Sequence, residues 1–289
     1  MVDGLATCVE GQRIGIFGPP GTGKSSLISS IVRGADAEVL VIALIGERGW
    51  EVPSFVERAL GEKRRCRSVV LAATSDRPPL ELVKTALAAT AAAEWFRDRG
   101  HRVLLLIDSV TRLVRAWRTL GLAAGEPPTR RGYPPSAFTA LPRLLERAGP
   151  AAAGSITAFY TALIEGEMAS DPVAEELKSL LDGHLILSRE LADAQRHPAI
   201  DPVESLSRAM AGAVSSEHFA AARKIRALLA RHAQVELLVR VGEYRRGADP
   251  LADEALDKVE AIEAFLAQSS EEGPADFAAT VSRLAEIAR

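Results

Sequence analysis

Gly18-Pro19-Pro20-Gly21-Thr22-Gly23-Lys24-Ser25 sits between an apolar run at residues 13–17, short enough for a buried strand, and a helical stretch over residues 25–31. This is the pattern G-x-x-x-x-G-K-[ST] in the strand–loop–helix setting that it needs. Gly18, Gly21 and Gly23 let backbone N–H groups turn inward around phosphate oxygens, and the helix N-terminus adds a favourable dipole. Lys24 is placed to reach the β- and γ-phosphates of a nucleotide, and the Ser25 hydroxyl to bind Mg²⁺. Thr22 and Ser26 flank the same cradle and join it as candidate phosphate contacts. An accidental glycine-rich turn would not combine these identities with both flanking elements.

Further strands are expected at residues 39–45, 68–72 and 103–107, the last delivering Asp108 at its C-terminal end. Ligand sites of open α/β sheets collect at such strand ends. Asp108 therefore fits the acid that holds Mg²⁺, usually through water; the alternative is a carboxylate that caps the following segment. Many nucleotide hydrolases place a glutamate directly after this aspartate, but here the next residue is Ser109. Glu47, in Gly46-Glu47-Arg48-Gly49 after the second strand, is the better candidate to polarise water; the bland reading is a surface ion pair. Arg48 could read the γ-phosphate or pair with Glu47. No guanine-reading Asn/Thr-Lys-x-Asp motif is visible. The expected fold is α/β: a RecA-like P-loop NTPase core with a mainly parallel sheet flanked by helices, followed by a small all-helical C-terminal domain.

The 289 residues are 47% hydrophobic with a formal net charge of −3, which excludes a disordered chain and gives no global argument for nucleic-acid binding. Two cysteines, Cys8 and Cys66, are too few for a disulfide scaffold or a structural zinc site. No apolar run is long enough for a transmembrane segment, and residues 1–11 do not read as a signal peptide. Helices are expected over residues 80–98, 110–120 and 141–147, with further strands at 156–163 and 185–187. Arg112, Arg115 and Arg118 recur every third residue, as a solvated face or a subunit contact. The stretch 125–135, rich in glycine and proline, reads as irregular, either a functional loop or a rigid connector. From about residue 213 the pattern becomes helical, with helices over residues 219–238, 252–265 and 275–287. The expected division is 1–212 for nucleotide binding and 213–289 for the helical domain.

With Gly46-Glu47-Arg48-Gly49 and Pro127-Pro128-Thr129-Arg130-Arg131-Gly132-Tyr133-Pro134-Pro135, the chain resembles the ATPase of bacterial type III protein secretion, relative of the catalytic subunits of rotary ATP synthases. Residues 73–79, 154–160, 181–191 and 198–208 support the likeness, which spans essentially the whole chain. The resemblance implies a Mg²⁺-dependent ATPase in which Lys24 and Ser25 bind phosphate and Mg²⁺, Asp108 supports the metal and Glu47 activates water. Arg48 would lie near the γ-phosphate and Arg112 in the nucleotide-site network. Arg208 matches an arginine finger acting on ATP held by the adjacent subunit. His197 stands where relatives carry a tyrosine that stacks on adenine; it either stacks more weakly or simply packs. Trp50 replaces the arginine common after Glu-Arg-Gly, and Pro19, Pro20 and Thr22 replace smaller residues of the usual loop.

The resemblance also implies an N-terminal β-barrel, whereas here the phosphate loop begins already at Gly18. The expectation is a truncated form, monomeric or weakly associated and weakly active, of a protein that is a homohexamer at full length. Implied partners are a central coiled-coil stalk, a peripheral stator protein, the export gate and chaperone–effector complexes, with the C-terminal helices as the contact region. The implied location is cytoplasmic, at the inner-membrane base of an injectisome. The flagellar export ATPase is the near alternative, a RecA-like nucleic-acid translocase a more distant one, and a nucleotide-regulated scaffold with little turnover a third.

Overall fold

The computed structural model describes residues 1–164, 170–269 and 272–289. In chain order its elements begin with α1 (Val2–Leu5), β1 (Arg13–Gly18), α2 (Lys24–Gly34), β2 (Val39–Ile45), α3 (Glu51–Arg65), β3 (Ser68–Ala73), α4 (Pro79–Arg97), β4 (Arg102–Asp108) and α5 (Val110–Ala123). After these come α6 (Pro135–Leu145), β5 (Gly149–Pro150), β6 (Ser155–Leu163), α7 (Pro172–Leu180), β7 (Gly183–Ile186), α8 (Arg189–Asp193), β8 (Leu206–Ser207) and α9 (Met210–Ala213). The chain closes with α10 (Ser216–Arg240), α11 (Pro250–Leu266) and α12 (Phe277–Ala288).

The strands lie in one sheet of order β3-β2-β4-β6-β1-β7-β8, with β5 pairing on β6. The pairs from β3 through to β7 are parallel; β5 and β8 pair antiparallel. A parallel sheet needs helices on both faces, and its strands then read as continuous apolar runs. In β2 the side chains of Val39, Val41, Ala43 and Ile45 join the core beneath α4 to α7, while Leu40, Ile42 and Leu44 join the core beneath α2 and α3. That two-sided burial is why no polar alternation marks the strand.

A third core, built on Ile225, Leu228, Ile262 and Leu284, unites α10, α11 and α12 and takes in Leu5 of α1. The His218 ring Nε2 bonds Gly4 O at 2.8 Å, and Arg226 donates to the carbonyls of Leu5 and Ser205. Gln268 N donates to His197 O at 2.8 Å, so the helices are tied to the nucleotide side of the sheet as well.

Most expected elements fall where the sequence put them; beyond short pieces such as α1, α8, α9, β5 and β8, the main differences lie in three helices. The helix α3 was not anticipated: Phe55, Ala59 and Leu60 are buried among many charges, and Gly61 interrupts its helical geometry. The helix α6 starts at Pro135, inside the stretch read as irregular, because proline is favoured in a first helical turn, where its missing N–H has no partner to lose. The helix α7, capped by the Asp171 carboxylate on Val173 N and Ala174 N, was also missed.

Candidate active site

The turn after β1 is shaped by two glycines in left-handed backbone conformation, Gly21 (φ 85°) and Gly23 (φ 84°). Residues with a Cβ rarely adopt this conformation. A Cβ built on Gly21 would meet nothing within 4 Å, so the mouth of the loop is open to a ligand. Thr22 is buried within the loop and donates to Pro19 O at 2.9 Å, holding the turn closed behind that mouth. Ser25 and Ser26 stand exposed in the first turn of α2, whose N-cap is Gly23.

Asp108, 3% exposed, receives Lys24 at 2.9 Å between Nζ and Oδ1. The same oxygen accepts the Thr161 hydroxyl at 2.5 Å. The register of β4 on β6 pairs Ile107 with Tyr160, and so sets Asp108 beside Thr161. Sequence reasoning passed over Thr161, one of two threonines in β6 with nothing local to set it apart from Thr157. Thr111, from the first turn of α5, receives Leu163 N on its hydroxyl at 2.9 Å and fixes the end of β6.

Glu47 leaves β2 beside this pair. Arg112 reaches it at 3.6 Å and also donates to Gly46 O. A Cβ on Gly46 would lie 2.6 Å from the Arg112 side chain, so this approach requires glycine there. The Glu47 carboxyl is pushed up to about 7. Burial is the main cause, followed by the negative charge of Asp108; Arg112 and Lys24 pull the other way, and a hydrogen bond with Glu51 adds to the rise. Arg48 is different: its side chain is 69% exposed and its ion-pair partner is Glu51 at 3.8 Å, not Glu47.

His197 lies across the loop, its Nδ1 3.9 Å from where a Gly23 Cβ would be. It lines a cavity of about 1000 Å³ together with Gly23, Ser26, Leu27, Pro198 and Gln268. The structure therefore brings together Lys24, Asp108, Glu47 and Arg112, with Ser25, Ser26 and His197 around the opening. It leaves Arg208 apart. Arg208 N bonds Asp182 O, at the N-terminal end of β7, whereas the phosphate loop lies at the opposite end of the parallel strands. The six residues of β1, Arg13–Gly18, span that separation, roughly 20 Å.

Residues 1–207 match the ATP synthase alpha/beta family, nucleotide-binding domain, and residues 214–286 match the T3SS EscN ATPase C-terminal domain. The assembled ATPase EscN of enteropathogenic E. coli, solved in complex with its central stalk EscO, superposes with a TM-score of 0.93 at 49% identity. That match covers 100% of this chain and 69% of the EscN chain. The chain belongs to the type III secretion ATPase family. Within it, the chain is 57% identical over 272 residues to the type 3 secretion system ATPase of Xanthomonas euvesicatoria, covering 94% of this chain and 62% of that one. It is 46% identical over 271 residues to the flagellum-specific ATP synthase of Bacillus subtilis, with the same two coverages. The chain thus spans about three fifths of the length of these two relatives. Among the described residues no helix is long and apolar enough to cross a membrane.

The donor set fits a Mg²⁺-nucleotide. No group of three or more His, Cys, Asp or Glu side chains gathers as a metal site among the described residues. Mg²⁺ in phosphate-transfer sites takes one or two protein oxygens and completes its shell with phosphate and water. Ser25 and Asp108 are such a minimal pair, next to an open phosphate cradle.

Proposed function

We propose that the chain is the Mg²⁺-dependent ATP-hydrolysing part of a type III protein secretion motor. The observation that carries this reading is the 2.9 Å Lys24–Asp108 pair under the phosphate loop, with Glu47 held next to it. Lys24 and the N–H groups of Gly21 to Ser25 bind the phosphates; Ser25 and Asp108 would hold Mg²⁺, which would neutralise charge on the phosphate oxygens. Glu47 takes a proton from the attacking water, steered by Arg112 at 3.6 Å. Thr161 and Lys24 fix the Asp108 carboxylate. Arg48, with its loose hold on Glu51, turns to the γ-phosphate when nucleotide is bound. His197 packs on the base in the cavity beside α2. Arg208, remote from Lys24 of its own chain, completes the site of a neighbouring subunit and stabilises the charge that builds up in the transition state.

This assigns 1–212 to nucleotide chemistry and 213–289 to contacts with a central stalk and with chaperone–effector complexes. A homohexameric ring, docked through a stator protein and the export gate at the cytoplasmic face of the inner membrane, is the assembly that the reading requires. Support comes from the relative solved as an assembled ATPase with its central stalk. The injectisome is favoured over the flagellar machine by the C-terminal match to the EscN type.

The test is specific ATPase activity against protein concentration, with mass by light scattering on the same samples. Activity should rise with assembly and be lost in Glu47→Ala and Arg208→Ala while ATP binding persists. A substantial rate from a monomer, unchanged by Arg208→Ala and independent of concentration, would overturn the shared-site reading.

A further inference from the structure

Large apolar side chains are exposed on both flanks of the sheet. On the β3 side Trp50 is 70% exposed and Leu80 is 49% exposed. They stand on adjoining loops: Glu47 O accepts from Ser75 N, and Gly46 N donates to Ala73 O. Trp50 is the N-cap residue of α3 without a capping side-chain bond, and Leu80 opens α4. The opposite flank is β8, where Val203 and Leu206 are exposed beside Arg208. The Arg208 guanidinium makes a long 3.5 Å contact with Lys178 O, and its charge helps to lower the pKa of Asp182. By contrast Trp95, on the outer face of α4, already carries the Arg99 guanidinium over one face of its ring, 3.5 Å from the ring centre.

Two different apolar patches on opposite flanks are what a head-to-tail contact between identical chains needs, and such contacts close into rings. The chemistry is complementary as well, since an exposed indole on one flank meets an exposed guanidinium on the other. We infer that Trp50, with Leu80, docks on Val203 and Leu206 of a second copy of this chain, the indole face lying against that copy's Arg208. Trp50 is two residues from Arg48 and three from Glu47. Its docking therefore carries the incoming Arg208 to the water-activating end of the site. This rests on the ring reading above and adds the contact that sets the register of the two subunits. Trp50 acts as a positioning residue through Arg208.

The experiment measures association by light scattering and sedimentation for the parent, Trp50→Ala, Trp50→Phe and Leu206→Glu. Fluorescent ADP binding serves as a fold control. Trp50→Ala and Leu206→Glu should each raise the concentration needed for association by about tenfold or more, because buried aromatic anchors dominate interfaces. ADP affinity should stay at the parental level, and Trp50→Phe should associate nearly as the parent does. Mixing Trp50→Ala with Leu206→Glu should restore pairs, since one intact patch of each kind remains to form a native contact. Parental association that is unaffected by Trp50→Ala, while Arg208→Ala still abolishes turnover, overturns the Trp50 contact and leaves the ring standing. A parent chain that stays monomeric at every concentration overturns the Trp50 contact.

Discussion

Glu47 is held between two influences: burial and Asp108 favour its neutral form, while Arg112 and Lys24 favour the carboxylate. The first pair prevails and the carboxyl rises from 4.5 to about 7. Below pH 4.5 the group is protonated in both folded and unfolded chains and costs nothing. Between pH 4.5 and about 7 the unfolded chain gives up the proton more readily, so stability falls as pH rises through that window. The loss is on the order of 3 kcal/mol and is complete above the upper value. Glu47→Gln, uncharged at every pH, should remove this fall. Calorimetric melting of the nucleotide-free protein between pH 5 and 8 is the check, taken as the difference between variant and parent. That difference cancels His184, which burial keeps neutral down to about 4 and which loses stability in the acid direction. Parallel pH profiles for the two proteins would show that Glu47 ionises normally. On the proposed reading, in which Glu47 takes a proton from water, an acceptor with this affinity is matched to near-neutral pH.

Elements of the fold differ in how much of their position is written locally. The phosphate loop was legible because left-handed turns, an open mouth and a lysine at its end admit few residue types at fixed spacing. The strand β2 was legible from an unbroken apolar run. The helix α3 was not, since its apolar stripe is thin and its charged remainder resembles a loop. Thr161 was invisible for another reason: its role depends on the register of β6 against β4, which no local pattern encodes. The docking of α10 belongs to that second kind. Arg226 is half-buried against the core, and burial lowers its pKa from the ordinary arginine value. Its guanidinium donates to Ser205 O and, at 2.7 Å, to Leu5 O. Arg226→Met keeps the stem and leaves both carbonyls without this donor. The expected cost is about 2 kcal/mol, since a hydrogen bond from a charged donor is lost at a half-buried site. A urea titration should show a lower midpoint. An unchanged midpoint would mean that the helices hold to the core through their apolar contacts alone.

For the whole molecule the decisive relation is that Lys24 and Arg208 occupy opposite ends of the same parallel strands. No side-chain rearrangement within one chain brings them together, so a site that uses both must be built from two chains. This has a consequence for mixtures of inactive proteins. Lys24→Ala alone lacks the phosphate contact in every site, and Arg208→Ala alone lacks the finger in every site. In an equal mixture that assembles at random, about a quarter of the sites pair an intact Lys24 with an intact Arg208 from the neighbour. Activity should therefore reappear on mixing, reach up to about that fraction of the parental rate, and follow assembly as concentration rises. Light scattering on the mixture establishes that the two variants share one particle. If the particle forms and activity remains the sum of the two inactive parents, the site is not divided between chains, and the exposed guanidinium of Arg208 must answer to some other partner.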